Sequence, residues 1–212
     1  MNMMIVFEQK PFEEILGYLI NDKSIFILRC KGCARVNQAN AESDLMDMKG
    51  RIEERGIGIT GSAIKGLLCM KAKSVLEELS ETIGNPTSLL IMACGLGVQS
   101  VAEATHKIVH PACNSFVDKE ILELGKREYR CRTCGDCVLE FTGGICPLTV
   151  CSKGLLNGPC GGNSLGKCEV SREIDCGWVL IFERMKKLGR LKEFMSFLEP
   201  KDYRKIQKKK IS

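Results

Sequence analysis

The sequence predicts an α/β protein: a small parallel sheet with helical crossovers, then a cysteine-rich metal-stapled domain and a C-terminal helix. Three observations predict it. Short apolar runs alternate with stretches of helical period between residues 11 and 107. Cysteines fall just after those runs or in the connections between them, where a parallel sheet carries its sites. From Arg130 to Gly177, eight cysteines and many glycines replace any long hydrophobic period.

Taken in order, Pro11 to Asn21 is an amphipathic stretch, and SIFIL, Ser24 to Leu28, reads as a buried strand followed at once by Cys30 and Cys33. Ser43 to Arg55 reads as a helix with Leu45, Met48 and Ile52 on one face. GIGIT, ending at Thr60, is a second short strand, Cys69 lies in the connection after it, and a helix is expected from Ala72 to about Thr82. After the turn Gly84-Asn85-Pro86, the strongly apolar SLLIMA, Ser88 to Ala93, forms a third strand capped by Cys94. Gly95 and Gly97 open a helix to about Lys107, and Phe116 to Lys126 reads as a connecting helix. The apolar stripe from Trp178 through Ile181, Phe182, Met185 and Leu188 to Leu198 reads as an amphipathic helix, weakened at Gly189 and ended before Pro200. The expected domains are 1–126, 127–200 and a basic tail, 201–212.

The cysteines carry the chemistry. The amino terminus lacks the pattern of a secretory signal and no stretch is long and apolar enough to span a membrane, so a cytoplasmic protein is expected. A reducing compartment keeps thiols unpaired, and an odd count of 13 cannot pair completely within one chain. Metal is the better explanation, and because the two histidines, His106 and His110, both read as structural, lie apart from the clustered cysteines, any metal would be held almost wholly by thiolate. If parallel strands align, Cys30, Cys33, Cys69 and Cys94 converge on one rim of the sheet. Cys131, Cys134 and Cys137 reproduce the C-x2-C-x2-C run that presents three thiolates to a cubane. Cys146 precedes Pro147, as a ferredoxin's fourth cysteine precedes proline, but at a longer interval. The preferred partition pairs Cys176 with the first three and groups Cys146 with Cys151, Cys160 and Cys168. Zinc serves four thiolates as readily as a cluster does. A redox dithiol at Cys30 and Cys33 is a competing reading that leaves Cys69 and Cys94 unexplained. Cys113 reads as a buried filler.

The formal charge of +5 is concentrated in the basic tail, without the aromatic-interleaved basic surface of a nucleic-acid binder. Gly95-Leu-Gly97 is an incomplete dinucleotide fingerprint, and no phosphate loop, paired carboxylates or Ser/His/Asp set is present. The chain is therefore not expected to be catalytic alone.

The segment CGDCVLEFTGGICPLTVCSKGLLNGPCGGNSLGKCEVSREIDCGW, with its TGGICP, LLNGPCGG and GKCEV elements, resembles the C-terminal cysteine-rich family of methylenetetrahydrofolate reductases. With CKGC and ACGLGVQ in front, the whole chain resembles the separate small subunit of two-subunit reductases of this kind from acetogenic anaerobes. The resemblance implies a complex in which a flavin-bearing catalytic subunit, with FMN on that partner only, reduces 5,10-methylenetetrahydrofolate to 5-methyltetrahydrofolate. The present chain would relay electrons from an upstream donor protein through two [4Fe-4S] clusters, with cysteines enough for a third. One would sit at Cys30, Cys33, Cys69 and Cys94, another at the Cys131 group. Zinc at one site, or a zinc-stapled scaffold without redox role, is the alternative.

Overall fold

The computed structural model describes residues 5–32, 39–117 and 130–204. Four parallel strands form the central sheet, in the order β3-β2-β4-β5: β2 Ser24–Cys30, β3 Gly58–Lys65, β4 Ser88–Met92 and β5 Ile108–Pro111. β2 and β4 lie in the middle, paired Ile27 to Leu90 and Leu28 to Ile91. Their near-continuous burial is what a parallel sheet covered on both faces demands of its sequence. Helix α1 (Phe12–Leu19) precedes β2, and α2 (Ala41–Glu53) crosses from β2 to β3 with Leu45, Met48 and Ile52 buried. Helices α3 (Leu68–Glu78) and α4 (Ser80–Ile83) lead to β4, and α5 (Gly95–Ala104) leads to β5. The chain runs outward from β2 to β3 on one side and from β4 to β5 on the other. The topological switch point thus falls between the carboxyl ends of β2 and β4, the place where open α/β sheets bind ligands.

Several boundaries differ from the sequence reading. β3 continues past Thr60 to Lys65, because its partner β2 extends to Cys30 and supplies the ladder. The helix expected from Ala72 begins at Leu68, so Cys69 sits in its first turn rather than in a connection. The helix after Cys94 ends at Ala104, and the residues beyond it form β5. Phe116, expected to open a helix, lies in β6 (Cys113–Val117), which pairs antiparallel with β1 (Ile5–Gln9) in a separate ribbon. Residues 118–126 of that expected helix, with the boundary near residue 126, lie outside the described residues, as does Cys33.

The cysteine-rich segment has little regular structure: a 3-10 turn at Leu139–Thr142 and a one-turn helix, α6 (Pro147–Val150). Leu139 and Cys146 join the main core. The terminal stripe forms two helices, α7 (Gly177–Lys187) and α8 (Leu191–Phe194), broken at Gly189, which lies at φ +69°. Phe194 folds back edge-on to Trp178 and Phe182. Among the described residues no helix is long and apolar enough to cross a membrane.

Two polar devices lock this segment onto the sheet. The Arg184 guanidinium, on α7, donates to the carbonyls of Ala102, Thr105 and Gly143, capping the C-terminus of α5. Gly144, at φ +86°, lets the chain pass α5 so closely that a Cβ there would fall 2.3 Å from that of Ala102. Deeper in, His110 of β5 is held between two buried carboxylates. Its Nδ1 is 2.8 Å from Glu140, and its Nε2 lies 3.0 Å from Asp22 without being aimed along a good hydrogen bond. Arg190 Nη2 donates to Glu140 from the other side, at 2.6 Å. Burial alone would push the imidazole pKa down, but the two carboxylates outweigh it and raise it to about 9.

A raised histidine pKa stabilises the fold fully below the unfolded value near 6.5, and that contribution is lost as pH rises through the folded value near 9. Thermal or urea unfolding should therefore show stability falling across this window, by about 3 kcal/mol between the limits. A His110→Gln variant should be weaker below pH 6.5 and lose that slope; an unchanged slope would show that another group titrates.

Candidate thiolate centres

Each sulfur group is built by a different part of the fold. Cys30 ends β2, opposite Lys65 at the end of β3, and Cys94 lies two residues beyond the end of β4, as the N-cap of α5. Both stand at the switch point. Cys69, in the first turn of α3, is tied to α5 by the Ser100 hydroxyl, which donates to its carbonyl at 3.0 Å. The thiols of Cys30 and Cys69 lie close enough to act electrostatically on Cys94.

Cys131, Cys134, Cys137 and Cys146 line a second feature, a small cleft with about 20 Å³ of free volume. The loop is pinned to β6: Gly135 N–H donates to Ser115 O, and Cys137 N–H donates to Asn114 Oδ1. Lys10 Nζ donates to the carbonyl of Cys137 at 3.2 Å, and Lys201 donates to that of Asp136. The two groups meet at the start of α5. Cys131 Sγ lies 3.1 Å from where a Cβ on Gly95 would be, so any larger residue would press on that sulfur. The Cys94 thiol accordingly influences Cys131.

The remaining four cysteines gather on the outer side. Cys151 packs against the small core of Cys176, Trp178, Ile181 and Met185. Cys168 Sγ lies 3.6 Å from the hydroxyl of Ser152, next to Cys151. The Cys160 and Cys168 loops abut where Gly162 faces Glu169. This grouping differs from the partition expected from spacing. Cys146 belongs with the C-x2-C-x2-C run, and Cys176 caps α7 in the outer group. The Cys146-Pro147 dipeptide carried that signal; the eight-residue interval obscured it, because a 3-10 turn and the Gly143-Gly144 reversal take up the extra length.

Burial pushes the thiols of Cys94, Cys131 and Cys137 up to about 12 and raises that of Cys146 as well. Opposing this, peptide N–H groups two residues on are aimed at the sulfur of seven cysteines. The pairs are Gly32 to Cys30, Leu96 to Cys94, Thr133 to Cys131, Leu139 to Cys137, Leu148 to Cys146, Gly162 to Cys160 and Val170 to Cys168. Cys113 is a control. It is equally buried and also pushed up to about 12, with the charges of Arg29, Asp44, Lys10 and Cys137 acting on it after burial. A sulfur that stays a thiol has little use for such donors, whereas a thiolate buried against a cation does. Among the described residues no three cysteine, histidine or acidic side chains converge as a single bound ion requires.

The grouping has a measurable consequence. In anaerobically purified protein, Cys146→Ala should expose Cys131, Cys134 and Cys137 to iodoacetamide while Cys151, Cys160 and Cys168 stay protected. Cys176→Ala should do the reverse. Peptide mass spectrometry reads both, and protection of Cys134 in the Cys146 variant would restore the sequence-based partition.

Residues 110–204, just under half of the chain, match the family model described as methylene-tetrahydrofolate reductase C terminal. No curated protein and no solved structure matches. The matched span begins at His110 and takes in Cys113, both sulfur groups beyond residue 130, and the α7–α8 pair. From that half, the chain is similar to the C-terminal part of methylenetetrahydrofolate reductases.

Proposed function

We propose that this chain is the electron-transfer subunit of a methylenetetrahydrofolate reductase complex. It holds [4Fe-4S] clusters and passes electrons to the flavin of a catalytic partner, which reduces 5,10-methylenetetrahydrofolate to 5-methyltetrahydrofolate. The observation that carries the reading is the set of half-buried to buried all-sulfur groups, most of whose sulfurs face peptide N–H donors, two of which adjoin at the start of α5. The similarity of residues 110–204 supplies the reductase context and the catalytic partner.

A bound cluster supplies one-electron redox chemistry, which the partner's flavin converts to a two-electron reduction. The protein's share is positional. Cys30, Cys69 and Cys94, with Cys33 as fourth ligand, would hold one cluster at the switch point, and Cys131, Cys134, Cys137 and Cys146 a second. The α5 N-terminus directs the N–H groups of Leu96 and Gly97 at Cys94, stabilising the thiolate by hydrogen bonding and by the helix dipole. Gly95 removes the side chain that would separate the groups. The outer group of Cys151, Cys160, Cys168 and Cys176, set around a small satellite core with Cys160 exposed, would hold a structural zinc once its side chains turn onto the ion. There the thiol of Cys168 is lowered by the Ser152 hydroxyl and nearby peptide donors without any need of burial.

Anaerobic purification should yield a brown protein, with iron and acid-labile sulfide, that dithionite bleaches. Cys94→Ala should lower iron per chain without removing the Cys131-centred signal in electron paramagnetic resonance. It should also slow reduction of the partner's flavin. A colourless protein holding zinc alone would establish the scaffold role instead.

A further inference from the structure

Lys10 is an anomaly: a lysine at the end of the β1–β6 ribbon with only 2% of its surface exposed. Burying an ammonium is costly unless it is paired and hydrogen-bonded. Here the backbone leaves little choice of position, because Lys10 N–H donates to Ala112 O at 2.9 Å and Pro11 then turns the chain into α1. The amine reaches Glu14 Oε1 at 2.5 Å and the Cys137 carbonyl at 3.2 Å, and it lies 5.8 Å from the centre of the Tyr18 ring. Tyr18 in turn donates to Glu14. The Glu14 side chain is 39% exposed against 1% for that of Lys10, so solvent screens the carboxylate more than it screens the ammonium. The imbalance leaves a poorly screened positive charge beside the third cysteine of the C-x2-C-x2-C loop. Next to the effect of burial, that charge is the largest influence on the Cys137 sulfur.

We propose that Lys10 is a potential-setting residue for the centre at Cys131, Cys134, Cys137 and Cys146, its buried ammonium favouring the reduced form. The inference rests on the electron-transfer reading. Reduction adds one electron, supplied by dithionite in the test, to a centre already negative from its four thiolates, and no bond is made or broken. A fixed cation held against the loop lowers the electrostatic cost of that electron. A pair that served only to fasten β1 to the loop would stabilise the fold without moving the potential.

The test is an anaerobic redox titration of the full chain followed by electron paramagnetic resonance, using the signal that Cys146→Ala abolishes. Lys10→Met should shift its midpoint to more negative potential, while Lys10→Arg should keep it near the wild-type value. Glu14→Gln, which removes the opposing carboxylate, should shift it the other way, to more positive potential. A fully iron-loaded Lys10→Met protein with the wild-type midpoint overturns the proposal. Should that variant fail to load iron, an unchanged midpoint in Glu14→Gln overturns it. A wild-type protein with no dithionite-reducible signal overturns both the electron-transfer reading and this assignment, whereas a reducible centre indifferent to both variants overturns this assignment alone.

Discussion

Helix α5 is gripped at both ends by the cysteine-rich segment, and the relation between the sulfur groups depends on that grip. At its N-terminus Cys131 rests against Gly95; at its C-terminus the Arg184 guanidinium takes the carbonyls of Ala102 and Thr105. The signs are those the helix dipole favours, with sulfur where positive potential gathers and a cation where negative potential gathers. Because the grip spans the helix, the C-x2-C-x2-C loop has little freedom to slide relative to the switch point. Arg184 is partly buried, and burial lowers its pKa, yet carbonyl partners on α5 and the glycine turn satisfy its donors.

Two groups of buried charges have different tasks. His110, Asp22, Glu140 and Arg190 form a closed cluster behind the sheet. It joins the loop before β2, strand β5, the 3-10 turn and the start of α8, and its charges compensate one another locally. Lys10 sits on the opposite footing, its own side chain buried against the sulfur loop and its carboxylate partner on a side chain that water reaches. Position rather than residue type separates the two roles. A lysine whose counterion is solvated projects its field into the protein, whereas a histidine clasped between two buried carboxylates does not.

What the sequence made legible follows the range of the physics involved. The β2 and β4 runs, Ile25 to Leu28 and Leu89 to Met92, are apolar on both faces, so local composition alone marks them as buried parallel strands. Their ends then place Cys30 and Cys94, with no contact needing to be known. β1 carries mixed burial, β5 has only four residues, and β6 depends on a partner more than a hundred residues away. No local period could reveal that pairing, and the helix expected from Phe116 shows it. The grouping of the sulfurs departs from the spacing for a related reason: spacing counts residues, whereas the chain between Cys137 and Cys146 is shortened by a 3-10 turn and a left-handed glycine pair.

Glycine and lysine carry the least legible roles. Gly95 belongs to a motif that resembles the start of a dinucleotide loop, yet what fills the space before it is a cysteine sulfur from the next segment. Lys10 has no motif at all; a lysine before proline near an amino terminus ordinarily reads as a solvated surface residue. Its burial comes from the ribbon that β1 makes with β6, and its neighbours Cys137 and Glu14 from two further segments. The same ribbon carries Ser115 and Asn114, which pin the sulfur loop through Gly135 and Cys137. The antiparallel pair is thus more than a terminal ornament on the sheet. It is the base on which the loop is mounted, and it delivers the cation to the loop's least solvated side, so loop geometry and local charge are fixed by one piece of structure.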